Sequence, residues 1–301
     1  MISRVTSQTQ MRAAQANLQA SAQRLAQLQE QSSSLKTISR ASDDPARAAN
    51  ALAVRAEQRA TAQYTRNADN GNGWLTTLDG ALSASTTILN KVRDLTVQGS
   101  NAGTMTPATR EAIAAQIDGL KQDLLRQANA TYLGRTVFAG NSDAGVAFAA
   151  DGSYSSGAAA GAAVPVDRRV GAGSTVRVDA DGAAVFGTGA NSVFTLLDTV
   201  SAAVRSTDPS VSVAVSLGAI DSRLTTVIAA SSDVGARQAR IEGASAALAT
   251  QKGTLEAQRV QLEDADLATV ILDLKLQEIA YQSALAVTAR VIQPTLMDFL
   301  S

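Results

Sequence analysis

The stretch LGAIDSRLTTVIAASSDVGARQARIEGASAALATQKGTLEAQRVQL, residues 217–262, decides the fold. Ile220, Val227, Val234, Ile241, Leu248, Leu255 and Leu262 stand seven residues apart along it. A straight helix drifts about 20° per heptad, so a seven-residue row of this length requires a helix that supercoils about its neighbours. Leu217 and Leu224 widen the start of the row. It fails at Thr269, and a second stripe opens with Leu267, Ile271, Leu274, Tyr281 and Leu285. The phase slips beside Glu263, Asp264 and Asp266, which places a helix boundary there.

Working outward, the N-terminal segment carries its own heptad. Met11, Leu18 and Leu25 form one row, and Ala14, Ser21, Leu28 and Leu35 run three residues behind it. This is a narrow seam of coiled-coil type. The sequence Ser42-Asp43-Asp44-Pro45 then resets the chain. Asp44 can cap a helix, and Pro45 fits its first turn, where no backbone donor is needed. The new helix is expected to run to about Gly99 with Leu75, Leu78, Leu82, Leu89 and Val92 on its seam. Gly71-Asn72-Gly73 lies inside it and reads as a break or bend. Thr106-Pro107 repeats the cap, and Ile113, Ile117, Leu120 and Leu124 share one face of the helix after it.

Tyr132, Leu133, Val137 and Phe138 change the period between Gly134 and Gly140, so residues 129–140 read as a hairpin. The glycine- and alanine-rich residues 141–190 contain alternation such as Ser174 to Asp179 and predict short strands. Gly157 to Ala163 is a low-complexity loop, and a short helix follows from Val193 to Arg205, with Pro209 closing that connection.

Residues 1–70 and 254–301 contain no glycine and a single proline each. The expected fold is therefore mainly α: a long, discontinuous helical coiled-coil bundle formed by the N- and C-terminal segments, with a small inserted β domain. Five parts follow: a terminal helix over 1–44, a helical rod with hairpin over 45–140, a β-rich insert over 141–190, the returning rod over 191–263 and a second terminal helix over 264–301. The ends also complement each other in charge, residues 1–70 carrying a net +4 and residues 254–301 a net −4.

Composition excludes most chemistry. The 301 residues contain no histidine and no cysteine. Ser-His-Asp and Cys-His catalysis, cysteine or histidine metal sites and disulfides are thus removed. A net charge of −1 argues against a nucleic-acid partner bound through phosphate. The chain lacks the long apolar run of a membrane span, and its start lacks the apolar centre of a cleaved signal peptide. Asp43-Asp44 could be read as a carboxylate pair, but the proline beside it favours capping. Gly71-Asn72-Gly73 lacks the lysine and the preceding strand of a phosphate loop. Asn129-Ala130-Thr131 fits a glycosylation sequon, a weak pattern at a helix end. No catalytic, cofactor or metal residue is assigned.

The residues SRASDDPARAANALAVRAE (39–57), YTRNADNGNGWLTTLDGAL (64–82) and VTARVIQPTLMDFLS (287–301) resemble the family of flagellar hook-associated protein 3, within the flagellin-like superfamily. Flagellin shares the plan and stands as the alternative, although it usually lacks a proline after the paired aspartates. The resemblance implies a structural, non-enzymatic component of the bacterial flagellum that joins hook to filament. It implies extracellular location after export without a cleaved signal. It also implies self-association in a ring or tube, contact with another hook-associated protein and with flagellin subunits, and an export chaperone on the C-terminal helices. The surfaces expected to do this are the seams: Met11, Leu18, Leu25, Leu28 and Leu35 at one end, and Leu267, Ile271, Leu274, Tyr281 and Leu285 at the other. Such thin seams predict that residues 1–40 and 265–301 are mobile in the free monomer. A carboxylate enzyme housed in the β region and a secreted coiled-coil translocator are the remaining readings. The first lacks a convergent acidic cluster, and the second lacks a membrane-inserting segment.

Overall fold

The computed structural model describes residues 7–100, 105–155, 164–206, 208 and 213–292. The loop Gly157–Ala163, Pro209 and the Gln293-Pro294 ending lie outside these residues. Among the described residues the elements are α1 (Ser7–Ser34), α2 (Pro45–Ser100), α3 (Pro107–Ala128), β1 (Thr131–Tyr132), β2 (Arg135–Thr136), β3 (Asp167–Gly171), β4 (Ser174–Arg177), α4 (Gly182–Phe186), α5 (Val193–Arg205), α6 (Val215–Glu263) and α7 (Leu267–Ile292). The strands form two antiparallel pairs, β1 with β2 and β3 with β4. The chain divides into two compact units, residues 61–251 and residues 1–60 with 252–301.

The unit of residues 61–251 holds the large core. Leu75, Leu78, Leu82, Leu89 and Val92 of α2 are buried, as are Ile113, Ile117 and Leu124 of α3 and Leu197 and Val200 of α5. The row Ile220, Val227, Val234, Ile241 and Leu248 of α6 joins them with at most 4% exposure, so the seven-residue repeat is the packed face of this helix. Thr106 caps α3 by accepting from the Thr109 amide, with Pro107 in the first turn. Phe138, Phe148, Phe186 and Phe194 cluster at one end of the core, Phe138 standing edge-on to Phe186 with centroids 5.0 Å apart.

One local reading changes in the structure, and two gain detail. First, α2 runs unbroken through Gly71 and Gly73. These glycines do not break the helix; they admit neighbours. A Cβ at Gly73 would overlap the Tyr132 hydroxyl, and one at Gly71 would meet Ile241 at 2.8 Å. Second, the short strands expected within residues 141–190 are β3 and β4, and Gly182–Phe186 after them is a helical turn because the Asp181 carboxylate accepts from the Ala183 amide and caps it. Third, the sequon asparagine serves as a clasp. Asn129 Oδ1 accepts from the Ala147 and Phe148 amides at 2.8 Å, and its Nδ2 donates to the Phe148 carbonyl.

The β3–β4 hairpin is fixed to α2 through polar stems. Asn67 Nδ2 donates to the Arg169 carbonyl and Arg168 Nε donates to Asn70 Oδ1, each at 2.8 Å. The Arg168 guanidinium lies over the Trp74 ring and that of Arg169 over Tyr64. Asp179 is fully buried but satisfied, since it accepts from Arg177 and from the Val166 amide.

Candidate assembly surface

In the unit of residues 1–60 and 252–301, α1 and α7 pack antiparallel. The inward row of α1 is Ala14, Leu18, Ser21, Leu25 and Leu28, the heptad expected from the sequence. The inward row of α7 is Val270, Leu274, Gln277, Tyr281, Ala284 and Thr288. Gln277 Nε2 donates to the Ser21 hydroxyl at 2.9 Å and to the Ser21 carbonyl at 3.1 Å, which fixes the register of the pair.

Five of the ten seam residues thus meet in this unit: Leu18, Leu25, Leu28, Leu274 and Tyr281. The other five face outward. Met11 is 37% exposed, Leu35 51%, Leu267 46%, Ile271 45% and Leu285 42%. Leu35 leaves the seam because α1 has already ended. It adopts a left-handed φ of 55°, and its amide caps the helix by donating to the Gln31 carbonyl at 2.9 Å. The α7 stripe divides between an inward and an outward side because this helix is apolar on more than one side. Leu272, Leu276, Ile279 and Val287 form a further outward ridge, at steps of four, three and eight residues, with Leu272 and Ile279 each 61% exposed. That ridge was legible as spacing but competes with the inward row inside the same run of residues.

The unit has almost no interior of its own. Its buried apolar side chains among the described residues are Leu28, Ala51, Leu255 and Val270. An apolar helix face on so small a core leaves that face open to solvent in the single chain.

Two helix breaks meet beside this surface. The Thr37 amide donates to the Glu263 carbonyl at 2.8 Å, and the Ala265 amide donates to the Leu35 carbonyl at 3.0 Å. Asp44 caps α2 by accepting from the Arg47 amide at 2.9 Å, with Pro45 at the first position. Asp43 closes the preceding turn by accepting from the Ser39 and Arg40 amides. Both aspartates are therefore engaged by backbone, and no group of acidic residues suited to a metal occurs among the described residues.

Glu263, one position beyond Leu262 at the end of α6, is buried, with its side chain only 6% exposed. Arg55 grips it from two sides, Nε lying 2.6 Å from Oε1 and Nη2 donating to Oε2 at 2.6 Å. Arg259 stands 3.7 Å away. The Arg55 hydrogen bond foremost holds the Glu263 carboxyl below its ordinary value of 4.5, against the opposing effect of burial. A depressed carboxylate stabilises above its unfolded pKa and loses that contribution as pH falls through its folded pKa. Acidification below the ordinary carboxyl value, through the folded pKa, is therefore expected to lower the protection of the Thr37 and Ala265 amides relative to their intrinsic exchange. Glu263→Gln should flatten that dependence, and an unaltered acid profile in the variant would contradict the assignment.

No helix among the described residues is long and apolar enough to cross a membrane. Residues 5–143 match the bacterial flagellin N-terminal helical region, and residues 217–300 match the bacterial flagellin C-terminal helical region. The chain is 29% identical to the flagellar filament 30.7 kDa core protein of Treponema maltophilum over 265 residues, 87% of this chain and 86% of that protein. Its fold is similar to that of Bacillus cereus FlgL, with a TM-score of 0.60 and 22% identity over 69% of this chain and 99% of the other. It is likewise similar to the flagellar junction protein FlgL of Legionella pneumophila, with a TM-score of 0.56 and 14% identity over 71% of this chain and 100% of the other.

Proposed function

We propose, from the premise that this chain belongs to the flagellin-like superfamily, that it is a hook-associated structural component joining hook to filament in the bacterial flagellum. The observation that carries the structural role is the outward ridge of α7, borne by a unit with four buried apolar side chains among the described residues. Neighbouring subunits supply the missing contacts, so ordering of the ends and assembly proceed together. The likeness to junction-type folds over their whole length and the Asp43-Asp44-Pro45 capping sequence support the junction role.

In this reading the interface residues Met11, Leu18, Leu25, Leu28, Leu35, Leu267, Ile271, Leu274, Tyr281 and Leu285 divide the work. The inward five hold α1 on α7, and the outward five contact other subunits in a ring or tube. The partners are copies of this chain, another hook-associated protein and flagellin. Before assembly an export chaperone covers the C-terminal helices, and the chain leaves the cell without a cleaved signal. The role requires no catalytic group or cofactor.

The filament role is the second reading, favoured by the Treponema relative, a filament core protein matched over most of its length. Incubation of the purified chain with short flagellar seeds separates the two. Binding that stops after a short layer supports the junction role. Growth of long filaments from this chain alone assigns it to the filament instead.

A further inference from the structure

The β1–β2 hairpin turns through two residues, Leu133 and Gly134, with φ of 50° and 78°, between the pair Tyr132 and Arg135. Two left-handed residues in succession define a turn that asparagine, aspartate and glycine favour. A leucine in the first position is disfavoured by its Cβ. Here it also gains nothing from burial, being 78% exposed and the most exposed large hydrophobe near this hairpin. Within one molecule the residue is doubly misplaced. Beside it, Arg135 donates to Asn141 Oδ1 at 2.7 Å and pairs with no carboxylate among the described residues.

The same unit carries a matching recess. A groove of about 450 Å³ lies between α2 and α3, with Leu95 and Leu120 at its floor, Gly119 open to it, and Asp94, Asp123 and Lys91 on its rim. Beyond its own helix backbone, no atom of the described residues lies within 4 Å of a Cβ built on Gly119, so none of them fills the space above it. Asp123 pairs with Arg126, whereas Asp94 has no cation within ion-pair reach among the described residues.

We infer that the hairpin tip Leu133–Arg135 of one copy seats in the α2–α3 groove of a second copy, with Leu133 against Leu95 and Leu120 and Arg135 beside Asp94. The hairpin packs on α2 at Gly73, and the groove lies at Lys91 to Leu95 of the same helix, about 27 Å further along at 1.5 Å per residue. Knob and recess on one rod therefore cannot meet within a molecule. Because they are different surfaces, their pairing is head-to-tail and propagates into a ring or a helix instead of closing a two-fold dimer. The carboxylates of the rim outnumber its lysine, which suits the guanidinium. The choice of a second copy as occupant rests on the axial role proposed above.

The absence of native cysteine makes a clean test. Leu133→Cys in one preparation of the full chain and Gly119→Cys in another are mixed and oxidised, with and without flagellar seeds. The disulfide between the two is expected to form about tenfold faster than homodimers of either variant alone, since only the mixture can bring paired sulfurs within bonding distance. Cross-linking of the mixture at the rate of the single variants overturns the inference. Wild-type binding to the seeds is read in parallel. Seed binding without the cross-link places the contact elsewhere and leaves the axial role standing; the cross-link without seed binding keeps the contact and defeats that role. Leu133→Asn separates contact from stability. It relaxes the turn, so the urea midpoint should hold or rise while seed binding weakens by about tenfold. A fall in the urea midpoint would show that Leu133 serves its own fold, contrary to the inference.

Discussion

Replacing Leu25 and Leu274 together by aspartate will abolish incorporation into the flagellum while leaving the unit of residues 61–251 folded. Both positions lie on the inward rows of α1 and α7. Two carboxylates in a seam without cations destabilise it by about 2–4 kcal/mol, through lost apolar burial and unpaired charge. The terminal unit offsets little of this, since Leu28, Ala51, Leu255 and Val270 are its buried apolar side chains. The core from Ala68 to Leu248 contains neither residue. Circular dichroism should show loss of the α1 and α7 helical signal, and the main urea transition should keep its midpoint. Normal motility with both changes would contradict this account.

The second large effect concerns Gly73. If the glycine merely loosened α2, valine there would strengthen the helix by a few tenths of a kcal/mol, the difference in helix propensity. The structure gives the opposite sign. The added side chain must displace Tyr132, whose ring packs against Trp74 with centroids 5.9 Å apart. Overpacking at such a contact destabilises by about 1–3 kcal/mol. Gly73→Val is therefore expected to lower the urea midpoint of residues 61–251, whereas Gly80→Val, with open space around its Cβ, should change it little. A rise on Gly73→Val would restore the reading of a flexible bend.

The same pair of glycines shows where sequence alone falls short. Spacing reports what a helix presents to its neighbours, so the rows from Ile220 to Leu248 and from Leu75 to Val92 could be read directly, and the caps at Asp44 and Thr106 likewise. Spacing does not report which neighbour approaches. Gly73 looks like a breaker until Tyr132 is seen against it. Asn129 reads as an ordinary residue at a helix end until its amide is seen closing on Ala147 and Phe148. The α7 stripe divides for a related reason. Where apolar residues cover most of a helix, periodicity cannot choose between the row that packs within the chain and the row left for a partner. Glu263 was legible only as a boundary marker, because its value lies in Arg55, 208 positions away in sequence.

Amide hydrogen exchange on the dilute, full-length monomer tests the central claim most directly. If the ends are completed by neighbouring copies, the α1 and α7 amides will exchange roughly a thousandfold faster than those of Ile113–Leu124 and Ile220–Leu248, and will become protected on assembly. Equal protection of all four segments in the solitary molecule would contradict it.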